Sequence, residues 1–188
     1  MKKVLVFLVV LYLALFSWIG RVKAIELVEA AATSVEYPLP YPGMLPDSPF
    51  YFLKVARDSL VTWLIADPVK KSFYLVLLAD KRVGAGEVLV NSGKTALGVA
   101  TLIKAEEYYK QAVDLMINQN STLRLRSGQE LKTQNSQGVN DLLSKLVVAG
   151  AKHGEVLGKI SGVDVTTARQ INAESRKRVM ELLLKRRD

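Results

Sequence analysis

The stretch Asp67-Pro68-Val69-Lys70-Lys71-Ser72-Phe73-Tyr74-Leu75-Val76-Leu77-Leu78-Ala79-Asp80 decides the fold class. Asp67 is a good helix-capping residue, and Pro68 fits the first helical position, where its missing N–H removes no hydrogen bond. From Phe73 to Ala79 the run is apolar almost all round, the pattern of a helix buried on every side. Such a helix needs neighbours, and no segment after the leader alternates with the period of two that marks a half-buried strand. The spacing predicts an all-α bundle.

Working outward, Ser48-Pro49 gives the same start signal for a preceding helix. There Phe50, Leu53, Arg57, Leu60 and Leu64 follow one face, with Trp63 beside it, to about Ala66. A break as short as Ala66-Asp67 implies a corner or hairpin between the two helices. Downstream, the decisive helix continues through Val83, Glu87 and Val90 to a stop at Asn91-Ser92-Gly93. Gly84 and Gly86 inside it each cost roughly 1 kcal/mol relative to alanine, which points to a close helix crossing. A third helix, Thr95 to about Ile117, carries the stripe Leu102, Ala105, Tyr109, Ala112 and Met116. Residues 118–138 are polar, and their composition leaves loop and solvated helix both open. A fourth helix shows Val139, Leu142, Leu143, Leu146, Ala149, His153, Leu157 and Ile160 along one side. A fifth, capped by Asp164, carries Ala168, Ile171, Ser175, Val179 and Leu182 and ends in Lys185-Arg186-Arg187. The helical domain is therefore expected over 49–188, with about five helices.

Residues 25–48 read as a proline-rich tether or strap, because Pro38, Pro40, Pro42 and Pro46 each remove a backbone donor and disfavour a helix. Tyr37, Tyr41, Met44 and Leu45 interleave with them and are expected to lie on the domain surface. Residues 1–24 form a leader. Met1-Lys2-Lys3 is a positive start, Val4–Ile19 carries no charge, and Val22-Lys23-Ala24 suits cleavage after Ala24. An apolar helix of that length spans about 24 Å, short of the roughly 30 Å hydrocarbon core, which favours a signal peptide over an uncleaved anchor. Either way the domain is expected outside the cytoplasm, secreted or held at the membrane by its N-terminal helix.

The chain has no cysteine, which excludes disulfides, thiolate nucleophiles, iron–sulfur clusters and cysteine-based zinc sites. Its net charge of +8 suggests nucleic acid until it is divided along the chain. Lys2, Lys3, Arg21 and Lys23 place half of it in the leader, and the charged residues of 25–48 are all acids. The folded part is moderately basic, which argues against nucleic acid as a partner.

Three stretches together resemble a family of exported all-helical domains of unknown function. The first is Tyr37-Pro38-Leu39-Pro40-Tyr41-Pro42-Gly43-Met44-Leu45-Pro46-Asp47-Ser48-Pro49-Phe50-Tyr51-Phe52-Leu53-Lys54, similar to a Pro-Gly, Leu-Pro-Asp-Ser-Pro, Tyr-x-x-Lys opening. The second is Asp67-Pro68 with Lys70-Lys71, followed by Leu78-Ala79-Asp80-Lys81-Arg82. The third is His153-Gly154-Glu155-Val156-Leu157 with Ser175-Arg176 beyond it. The likeness covers residues 37–184 and departs at Val83-Gly84-Ala85-Gly86, where the pattern favours Ala and Glu. It implies export and a helical fold, and no activity.

No residue is assigned to catalysis, a cofactor or a metal. His153 is the single histidine and falls on an apolar stripe, where a packed, hydrogen-bonded core histidine is expected. Asp80 and Glu87 on the second helix and Glu106, Glu107 and Asp114 on the third are read as solvated faces, with Glu106 and Lys110 as an i, i+4 pair. Tyr37, Tyr41, Tyr51 and Lys54 are candidates for contact with a partner protein or envelope component. Arg176, Lys177, Lys185, Arg186 and Arg187 are candidates for contact with an anionic surface or polymer. The reading that results is a non-enzymatic, exported interaction or envelope module. The alternatives are an anionic-surface binder working through the last helix and an enzyme of unfamiliar type.

Overall fold

The computed structural model describes residues 36–126 and 134–187; the side chains of residues 120–126, 134–136 and 187 are excepted. The leader, the first part of the tether and residues 127–133 lie outside the described residues. Five helices occur and no strand among the described residues: α1 Tyr51–Leu64, α2 Pro68–Asn91, α3 Thr95–Arg126, α4 Gln134–Lys159 and α5 Thr166–Arg187. The all-α bundle is as the periodicity predicts. Of the segment left open, residues 118–126 extend α3 and residues 134–138 begin α4. No helix among the described residues is long and apolar enough to cross a membrane.

The helix ends follow local chemistry. The Asp67 carboxylate accepts the Lys70 N–H at 2.8 Å, with Pro68 at the first position. Asp164 accepts the Thr166 N–H at 3.0 Å and opens α5. Ser48 behaves differently from the expectation. Its carbonyl accepts the Tyr51 N–H at 3.0 Å, so residues 48–51 make a tight turn and α1 starts at Tyr51 without a side-chain cap.

α2 and α3 form the central hairpin. Lys94 N–H bonds Leu89 O and Gly93 N–H bonds Val90 O, with Gly93 at φ +81°, a glycine-terminated stop that reverses the chain. Beyond it the two backbones touch at paired glycines. A Cβ on Gly98 would lie 3.1 Å from the Gly86 carbonyl oxygen, and one on Gly86 would lie 2.6 Å from Leu102 Cγ. The close crossing expected from the glycines belongs to Gly86, whereas Gly84 faces Pro42 of the strap.

The main core joins α2 (Leu75, Val76, Ala79), α3 (Tyr109, Ala112, Met116), α4 (Leu142, Leu146, Ala149) and α5 (Val179, Leu182). A second cluster at the other end gathers Leu102, Leu157, Ile160, Val165 and Ala168. The strap lies on the bundle: Tyr37 packs against the main core, and Leu39 against Val83, Ala105 and Val156.

α1 is the exception to these packing rules. Most of its apolar residues face solvent: Leu53, Leu60 and Leu64 are more than half exposed, and Trp63 is 77% exposed, while Tyr51 and Val61 are partly buried. Its single buried residue is an acid, Asp58, at 1%. Among the described helices, α1 approaches α2 alone.

Candidate functional site

All four long helices send a polar side chain to one buried point between the two main apolar clusters. His153 of α4 is wholly buried. Its Nε2 lies 2.9 Å from Asp80 Oδ1 of α2, and its Nδ1 lies 3.0 Å from Glu106 Oε1 of α3. The first contact is a hydrogen bond; the second is a close ion pair whose alignment falls short of one. Asn172 of α5 donates to Glu106 Oε2 at 3.0 Å and to the Gly150 carbonyl at 3.2 Å. Tyr37 of the strap donates to Asp80 Oδ2 at 2.6 Å and accepts from Lys145 Nζ at 2.6 Å. Lys145 also sits 4.9 Å from the Tyr37 ring centre and 3.9 Å from Asp80 Oδ2. Tyr109 closes the cluster, its ring edge-on to the imidazole at 5.4 Å and its hydroxyl donating to the Leu146 carbonyl at 2.7 Å.

The formal charges balance, two carboxylates against imidazolium and ammonium. Burial alone would depress the imidazole. The Asp80 hydrogen bond, the Glu106 contact and both negative charges outweigh it, and the His153 pKa is pushed up to about 9 from its ordinary 6.5. Burial raises the Tyr37 phenol well above its usual range, with the Asp80 bond and charge adding to it. Burial also raises Tyr109, with Glu106 contributing.

A pH dependence of stability follows. The folded state holds the His153 proton more tightly than an unfolded chain does, so its contribution is fully present below pH 6.5 and disappears as pH rises through about 9. A shift of this size corresponds to about 3 kcal/mol. Urea midpoints at pH 6 and pH 9.5 should differ accordingly, and His153→Gln should flatten that part of the profile.

A second buried ion pair holds α1. Asp58 lies 3.5 Å from Arg82 Nη2 of α2 and accepts from Arg57 Nη2 at 2.7 Å and Nε at 3.2 Å. Arg82 stacks over Tyr108 of α3 at 4.4 Å from the ring centre. Beside them, Lys54 donates to the Pro42 carbonyl at 2.7 Å and the Met44 carbonyl at 3.0 Å, which fastens the strap to α1. Burial lowers the Lys54 pKa and raises that of Tyr51.

Several expected residues therefore stand elsewhere than the sequence suggests. His153 is the packed, hydrogen-bonded histidine expected. Asp80 and Glu106 are not solvated: Asp80, 1% exposed, directly follows the apolar run Phe73–Ala79 of α2. Glu106 lies four residues after Leu102 and three before Tyr109, on the buried stripe of α3. Lys110 instead pairs with Asp114 at 3.3 Å, and Glu107 pairs with Lys104 at 2.7 Å. The four strap-side candidates do not share one role. Tyr37 points into the polar cluster, Tyr41 is exposed, and Tyr51 lies half-buried under Lys54 at 5.5 Å.

The basic residues of α5 are divided in the same way. Arg176 lays its stem against Gly150 and its guanidinium against Gly154, and with Lys177 it edges a cleft of about 370 Å³ also lined by Val147, Ala151, Ala173 and Met180. Arg178 is drawn to Asp114 of α3. Lys185 and Arg186 are exposed near the end of α5, and the Arg187 side chain lies outside those described. Among the described residues no group of three or more His, Asp or Glu is arranged to hold a metal ion.

Neither a curated protein nor a solved structure matches the chain. Residues 43–163 match a family model, from the end of the strap to just past α4, so that Asp58, Asp80, Arg82, Glu106, Lys145 and His153 fall inside the match and Tyr37 and Asn172 outside it. The chain belongs to this family, the domain of unknown function DUF5667.

Proposed function

We propose that the chain is an exported, non-enzymatic helical module that acts by contact at the cell envelope, with the outward face of α1 as its contact surface. One observation carries the reading: α1 is packed inside out. Phe52, Leu53, Leu60, Trp63 and Leu64 face solvent while Asp58 is buried. Exposed large apolar residues scattered singly need no explanation, but a contiguous stripe of them marks an interaction surface. Export rests on the leader sequence, Met1 to Ala24. The non-enzymatic reading rests on the site: His153, Asp80 and Glu106 are sealed at 1% exposure or less, and both carboxylates are engaged by His153. Residues so enclosed hold helices together and offer a substrate no access.

The test places a photo-crosslinking residue at Leu60 of the full chain in the cells that make it, with the same residue at Lys177 of α5 for comparison. An adduct, protein or lipid, is expected from position 60. Adducts from position 177 alone would move the contact surface to the basic helix, and no adduct at either position would end the contact reading.

A further inference from the structure

The occupant of the α1 face follows from its chemistry and size. By helical spacing Phe52, Ala56, Leu60 and Trp63 fall on one line, with Leu53 and Leu64 beside it and Phe50 at its head. All seven are exposed. α1 has 14 residues, about 21 Å of helix. One face of that length offers on the order of a few hundred Å², below the roughly 800 Å² per partner of a stable protein interface. A second copy of this chain would gain too little from it. A bilayer has no such threshold, because each apolar side chain that enters the acyl region contributes separately.

Three features specify lipid. The stripe is Phe, Leu and Trp, and Trp63 and the outlying Tyr41 are the residue types that settle at the headgroup level. On α1 itself the accessible charge is basic: Arg57 is 63% exposed and the one carboxylate of the helix is buried, while at the head of α2 the exposed Lys70 stands beside the exposed Asp67. Basic residues bordering an apolar helix face favour anionic headgroups. The apolar leader segment Val4–Ile19 precedes Tyr51 by about thirty residues, a length that can reach at most ~100 Å when extended. The leader keeps α1 within reach of the same surface where it is retained as the anchor, and not where it is cleaved after Ala24 as a signal peptide.

We infer that α1 docks flat on a lipid bilayer surface bearing anionic headgroups, its Phe52–Trp63 stripe immersed at the boundary of headgroups and acyl chains. This rests on the contact reading above and names the partner. Asp58, Arg82 and the Lys54 clasp then act as a mount, holding α1 by its polar side so that the apolar side is free to enter lipid.

Trp18 and Trp63 are the two tryptophans, so Trp18→Phe makes Trp63 the sole reporter in the full chain. That variant is reconstituted into phosphatidylglycerol-containing vesicles with brominated acyl chains. Trp63 emission should move to shorter wavelength, be quenched by the bromines and become insensitive to aqueous iodide. Adding Phe52→Ser and Leu60→Ser, both exposed and without a core role, should return Trp63 to iodide while the helical circular dichroism is unchanged. If Trp63 in vesicles stays open to iodide and is not quenched by the bromines, lipid docking is wrong. A protein adduct from position 60 in cells would then leave the contact reading standing with a protein partner. The absence of any adduct would remove both.

Discussion

Replacing His153 with leucine should destabilise the fold by roughly 3–5 kcal/mol, the range for removing one partner of a buried ion pair. Leucine fills nearly the same space, so the loss is electrostatic. Asp80 and Glu106 would be left facing each other's field without the cation that lies 2.9 Å from one and 3.0 Å from the other. Lys145, 3.9 Å from Asp80 and reached through Tyr37, offsets one carboxylate only. The effect should therefore shrink when the carboxylates are neutralised together. His153→Leu combined with Asp80→Asn and Glu106→Gln should recover a good part of the loss, and equilibrium urea unfolding measures both. A single variant within about 1 kcal/mol of the parent would mean that the buried charges are not balanced through the imidazole.

The second large effect is steric. Gly150 sits where the Tyr109 ring crosses α4: a Cβ there would run into the Tyr109 hydroxyl and lie 2.7 Å from Cζ and 2.9 Å from Arg176 Cγ. The Arg176 stem can move, but Tyr109 is wholly buried and tied to Leu146 O. Gly150→Ala gains about 1 kcal/mol of helix propensity. Against that stand overpacking at about 1–3 kcal/mol and a severed buried hydrogen bond at about 1–3 kcal/mol. The net expectation is a loss of about 2–4 kcal/mol, read as a lower melting temperature. Tyr109→Phe in the same chain removes the clashing oxygen and leaves Cζ in place, so the double variant should be less unstable than the sum of the two singles. Strict additivity would place the strain elsewhere.

Much of the fold could be read from the residues alone, because helix formation here is local. The all-apolar run after Asp67-Pro68, the stripes of α3 and α4 and the glycine stop at Gly93 each act within a few residues. His153 could be placed on a buried face for the same reason. Its partners could not, since Asp80 lies 73 residues away and no local pattern distinguishes a carboxylate that meets an imidazole from one that meets water. For Glu106 a signal did exist, its register with Leu102 and Tyr109, but the nearby Lys110 offered a simpler local pairing. The orientation of α1 was hidden more completely. Its periodicity defines two faces, yet which one turns inward depends on Arg82 of the next helix, and the tyrosines of the strap were divided between core and surface by equally distant contacts.

The way α1 is fastened has a consequence for hydrogen exchange. A helix joined to the bundle by one ion pair, a lysine clasp and little apolar burial opens locally at a small fraction of the global unfolding free energy. The amides of residues 51–64 should exchange long before those of the α2–α3 hairpin, whose backbones meet at Gly86 and Gly98. The molecule thus carries a slow-exchanging hub with one fast-exchanging arm, and anything that covers the arm will be recorded as a selective slowing of those fourteen residues.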